Sequence, residues 1–199
     1  MRTPARSRLA ALLLLAPALA LTQALPARAK APASALSATE RKLVQRVDRH
    51  VPEGLALLER VVNVNSGTAN LAGVREVGRL FAGELDALGF RTRWVDGTAF
   101  ARAGHLIAER GEPTASLPKV LLVGHLDTVF EPDSPFQRFQ RLDDSTATGP
   151  GVIDMKGGDV IMLLALLALK DAGELDRLRV MVVMTGDEEN PGRVIVEQQ

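Results

Sequence analysis

The sequence predicts an α/β fold, a three-layer sheet with helices on both faces and mostly parallel central strands. Three observations lead there. Val120–Val123 is wholly apolar and Leu178–Thr185 is nearly so, as expected of strands buried on both faces of a parallel sheet. Residues 157–172, between them, have the length and composition of a helix opened by Gly157-Gly158 and closed by Gly173. A strand, a long crossover and a second strand form a βαβ unit, whose two strands run parallel.

The remaining elements follow in order. Ser37-Ala-Thr-Glu40 has the spacing of a capping box, in which side chain and backbone satisfy each other at a helix start. Leu43, Val44 and Val47 then recur at helical spacing, Pro52 interrupts, and Leu55, Leu58, Val61 and Val62 resume. This reads as two short helices or one kinked helix, because proline removes a backbone donor. Asn63–Thr68 is a turn-rich loop. Asn70 can cap a helix whose apolar face is Leu71, Val74, Val77, Phe81, Leu85 and Leu88, with Gly89 as its stop. Phe90–Val95 and His105–Ala108 read as strands around a turn near Asp96-Gly97. A polar loop, Glu109–Leu117, leads into the first buried strand.

The N-terminus has a different character. Arg2, Arg6 and Arg8 precede an apolar run, Leu9–Leu21, and Ala27-Arg28-Ala29 is a small-x-small site. This three-part pattern predicts a secretory signal peptide over residues 1–29, a flexible lead-in over 30–36 and the folded domain over 37–199. It implies a secreted or periplasmic protein with no membrane association after cleavage. An uncleaved anchor is the alternative, although the run is short for a span. The chain holds 24 basic and 24 acidic residues, and setting aside Arg2, Arg6, Arg8 and Arg28 leaves a net charge of −4. Nothing in that balance suggests nucleic acid as a partner. There is no cysteine, which excludes a thiolate metal site and a thiol nucleophile.

The polar residues gather at the ends of the two buried strands. His125 and Asp127 directly follow the first, Asp187, Glu188 and Glu189 follow the second, and Asp154 precedes the crossover helix. Ligands in open α/β sheets bind outside the carboxyl ends of the strands, so the three groups can meet on one rim. Taken singly, each has a plain reading: a solvated acidic turn, a turn built on Asp127 and Thr128, a glycine-rich loop. Taken together, they offer imidazole and carboxylate donors to a divalent ion such as zinc. Asp127 could fix the tautomer of His125 from behind. One of the adjacent glutamates could bind metal while the other acts as general base. Phosphate-loop and dinucleotide patterns are absent, as are H-E-x-x-H and G-x-S-x-G.

Three segments, Val123-Gly-His125-Leu-Asp127-Thr-Val129, Gly149-Pro-Gly151-Val-Ile-Asp154-Met-Lys-Gly157-Gly158 and Thr185-Gly-Asp187-Glu188-Glu189, resemble in order and spacing the co-catalytic zinc peptidase family. That family includes glutamate carboxypeptidase, aminoacylase and succinyl-diaminopimelate desuccinylase, and the glutamate carboxypeptidase-like branch is the nearest. The resemblance implies two zinc ions, with His125 on one, Asp154 bridging both and Glu189 on the second. Glu188 would be the general base, and Asp127 would orient His125. The implied reaction is hydrolysis of an amide bond in a small peptide or acyl-amino acid, and the implied assembly is a homodimer of the complete protein. Family members are longer, and they supply a further acidic ligand and a late histidine that His50 and His105 do not match. The expectation is therefore an N-terminal part of the catalytic domain, truncated. Two alternatives are a non-catalytic truncated fragment and a nucleotide-binding α/β module.

Overall fold

The computed structural model describes residues 36–112 and 116–192. The expected signal peptide, and the lead-in up to residue 35, lie outside the described residues.

Helix α1, Ala38–Val62, begins with the capping box: the Ser37 hydroxyl accepts from the Glu40 amide and the Glu40 carboxylate from the Ser37 amide. It runs without interruption through Pro52. The missing donor is tolerated because one face of α1 packs along helix α3, Lys156–Asp171. The two helices approach so closely that a Cβ at Gly54 would come within 2.9 Å of Leu164. Helix α2, Leu71–Ala87, is capped by Asn70, and Gly89 leaves it with φ of +83°.

Strands β1, Arg91–Asp96, β2, Gly104–Arg110, β3, Lys119–His125, and β6, Arg179–Thr185, form one sheet in the order β1-β2-β6-β3. β3 and β6 pair in parallel, from Lys119 opposite Arg179 to His125 opposite Thr185, as the crossover predicts. β2 runs antiparallel to both β1 and β6. The sheet is thus mixed, with its parallel pair next to a hairpin. A two-residue ladder, β4 (Gln140–Arg141) with β5 (Ala147–Thr148), closes a turn on the surface. It carries no hydrophobic period and has no counterpart in the sequence reading.

The core lies on one side of the sheet. Leu106, Ala108, Val180, Val182 and Met184 point into it with Val74, Val77, Phe81 and Leu85 of α2 and Val160, Leu163 and Leu166 of α3. The alternate residues face the other way, and Leu121 is 60 % and Val123 59 % exposed, with Met181 at 38 %. Burial of β3 on both faces is therefore not what the described residues show. An unbroken apolar run states that both faces of a strand prefer cover, and only one face receives it here.

Candidate metal centre

β3 and β6 end side by side, which brings His125 next to Thr185 and starts the two functional loops from one rim. The chain after β3 turns back at once. The Leu126 amide donates to the Thr185 carbonyl at 2.7 Å, and Leu126 is buried in the core. The Thr128 amide donates to Ser66 and Thr128 receives the Thr68 amide. The Asn63–Thr68 loop is thereby stitched to the loop that follows His125.

Asp127 is the hub of this arrangement. It is fully buried, and its carboxylate accepts from the Thr68 hydroxyl at 2.7 Å and from the amides of Glu188 and Glu189 at 3.1 Å each. Burial alone would raise its pKa. The hydrogen bonds from His125, Thr68 and the two amides outweigh this and hold Asp127 below the ordinary carboxylate range. Its contact with His125 differs from a simple carboxylate–imidazole pair. Nδ1 lies 3.1 Å from the Asp127 backbone carbonyl and 3.4 Å from the carboxylate. Backbone and side chain of Asp127 thus both engage the ring, and the side chain also aligns the two glutamates. Thr68, which the sequence reading leaves unassigned in a turn-rich loop, is part of the same network.

With Nδ1 engaged, Nε2 of His125 faces the opening. Asp154 Oδ1 lies 3.0 Å from it and Glu188 Oε2 3.9 Å. His125, Glu188 and Glu189 can each offer one donor atom within 4.8 Å of the others. His125 is buried whereas Asp154 and Glu188 are exposed, 72 % and 58 % for their side chains. The site is therefore a buried imidazole under an open ring of carboxylates. Asp187 is apart from it: the carboxylate is buried, accepts from the Gly192 amide at 3.0 Å and lies 3.8 Å from His105 Nδ1.

The electrostatics are those of a cation site. Among the described residues, no lysine or arginine pairs with Asp127, Asp154, Glu188 or Glu189. Lys156, next to the Asp154 loop, is buried and donates instead to the carbonyls of Val61 and Val64 at 2.8 and 2.9 Å. Burial lowers the pKa of His125, but the hydrogen bonds to Asp127 and Asp154 prevail and push it up to about 9. Glu189 is raised by burial first and then by the neighbouring charge of Asp154. Carboxylates gathered around one imidazole without a lysine or arginine partner are a donor set that a divalent ion would satisfy.

Residues 121–197 match the family described as peptidase family M20/M25/M40. Over 148 residues the chain is 29 % identical to carboxypeptidase G2 of Pseudomonas sp. (strain RS-16), covering 74 % of this chain and 35 % of that protein. Human carnosine dipeptidase 1 has a similar fold, with a TM-score of 0.63 at 22 % identity over 75 % of this chain and 35 % of that one. A metallo-carboxypeptidase of that family from Sulfolobus solfataricus, Sso-CP2, gives 0.56 at 22 % identity over 69 % and 31 %. The chain spans about a third of the length of the relatives it matches. No described helix is long and apolar enough to cross a membrane.

Proposed function

We propose that the site serves metal-dependent hydrolysis of amide bonds in small peptides or acyl-amino acids, a reading supported by the match of residues 121–197 to the peptidase family M20/M25/M40 and by the likeness to carboxypeptidase G2. The observation that carries this reading is the placement of Asp154 and Glu188 beside Nε2 of the buried His125, with Glu189 in the same donor group as His125 and Glu188. In this reading His125, Asp154 and Glu189 would hold zinc, and the complete enzyme would carry two ions. Carboxypeptidase action agrees with the likeness to carboxypeptidase G2.

A bound divalent ion supplies Lewis acidity and a water of lowered pKa. The chain's own residues do the rest. Glu188, exposed at the mouth of the site, takes a proton from the attacking water and returns it to the leaving amine. Asp127 holds the Glu188 and Glu189 amides, and so the spacing between base and ligand. The basic start and apolar run of residues 1–29 support export to the periplasm or medium, ahead of a domain beginning near residue 37.

The test is a zinc-loaded full chain given dipeptides and N-acyl-amino acids, with released amine as the readout. Hydrolysis abolished by a chelator and by Glu188→Ala, with zinc content kept in that variant, supports the assignment. Loss of zinc from Glu188→Ala would make Glu188 a ligand and not the base. A zinc-loaded chain that hydrolyses none of these substrates would contradict the catalytic reading and favour a non-catalytic fragment.

A further inference from the structure

Asp159 is a buried charged residue that the reading above does not use. It lies in the first turn of α3, where its amide makes an early bond of the helix, to Met155 O at 2.9 Å. Its side chain is fully buried, and neither carboxylate oxygen has a hydrogen-bond partner among the described residues. It points at the sheet. A Cβ built on Gly124 would come within 2.1 Å of Asp159 Oδ1, so the carboxyl rests on the backbone of the residue just before His125.

Few charges face it. Lys156 on its own helix and His125 at the end of β3 both attract it. The buried residues of α1 near this end of α3 are Leu57, Leu58 and Val61, while Glu59 and Arg60 are exposed. Burial pushes the Asp159 carboxyl up to about 8 against those two attractions. An unpaired carboxyl contributes nothing to packing that an apolar residue of like size would not, so its place behind the metal centre calls for another explanation.

We propose that Asp159 is a positioning residue for the metal centre, a buried carboxyl behind His125 whose negative charge tightens binding of a divalent ion without touching it. The proposal rests on the reading of His125, Asp154 and Glu189 as ligands. Asp154 and Glu188 are largely exposed, so water and salt screen them. Asp159 is enclosed, and its charge acts across the low-dielectric interior with little screening. As the ion enters, the Asp159 carboxylic acid gives up its proton to solvent, leaving the carboxylate opposite the new positive charge. Ion affinity and the ionisation of Asp159 are then linked.

Zinc affinity of the full chain, measured by chelator competition near pH 6 and near pH 8.5, separates this from a packing role. Asp159→Asn should match the parent within about twofold at the lower pH, where Asp159 is protonated. It should bind ~10-fold more weakly or worse at the higher pH, where only the parent carries the charge. Asp159→Leu, which alters packing differently, should show the same loss. Calorimetry in two buffers near neutral pH should find the parent releasing more protons per zinc than Asp159→Asn. A ratio between parent and variants that does not change with pH, or equal proton release, overturns the inference while leaving the metal centre intact. A parent that binds no zinc at either pH removes the metal-centre reading, and this inference with it.

Discussion

Replacing Asp127 with alanine should unfold the metal centre from within. Three donors lose their acceptor: the Thr68 hydroxyl at 2.7 Å and the amides of Glu188 and Glu189 at 3.1 Å. Hydrogen bonds to a charged acceptor contribute roughly 1.5–3 kcal/mol each, and a donor left unpaired in the interior costs about as much. The three do not weigh equally. Thr68 is 2 % exposed and has no water to turn to, whereas the amide of the exposed Glu188 can be rehydrated. The expected loss is therefore about 3–5 kcal/mol, less than the sum of three full contributions. Urea unfolding followed by circular dichroism reads it as a lower midpoint at unchanged slope. Asp127→Asn should lose roughly 2–3 kcal/mol, because its amide group can accept on one side only. A loss below about 1 kcal/mol for Asp127→Ala would show that Asp127 does not hold the two glutamate amides, and the account of how the site is aligned would fail.

Two further outcomes follow from other parts of the molecule. His50 bridges α1 and α3, with Nδ1 3.0 Å from Glu53 and Nε2 2.9 Å from Asp171, and the bond to Glu53, followed by that to Asp171, raises its pKa above 6.5. A raised pKa in the folded state means that the contribution to stability is complete below 6.5 and is lost as pH rises through the folded value. Urea midpoints across that range should fall less steeply in His50→Gln than in the parent, and parallel profiles would contradict the bridge. On the open face of the sheet, Val123→Lys should change stability by under about 1 kcal/mol, the span of strand propensities. A loss of several kcal/mol, as for a lysine forced into an interior, would mean that this face is covered in solution.

Much of the fold is written in local chemistry. The capping box at Ser37 and Glu40, the Asn70 cap and the glycines at 89 and 173 mark helix ends because each satisfies or releases particular backbone groups. The βαβ unit is legible because its apolar runs are bounded and its helix is long. Pro52 is less so: whether a proline breaks a helix depends on the packing of its far face, which local sequence does not state. The bare face of β3 is hidden for a similar reason. An apolar run records what the strand tolerates, and the presence of a second layer depends on distant chain.

The site divides the same way. His125 and Asp127 are visible together because they are two residues apart at a strand end. The bonds that the amides of Glu188 and Glu189 donate to Asp127 cross 61 and 62 residues, and no spacing rule reaches that far. Asp159 reads in sequence as an acid in the first turn of a helix, where such residues are common. Only the closeness of Gly124 shows that it is enclosed and unpaired.

The most direct test of the central claim is the zinc content of the full chain after equilibrium dialysis, measured by atomic emission beside His125→Ala. His125 is the one imidazole in the convergent set, so the parent should retain at least one zinc per chain and His125→Ala should lose it, with circular dichroism unchanged. Equal zinc in both proteins, or none in the parent, would contradict the assignment of this rim as a metal centre.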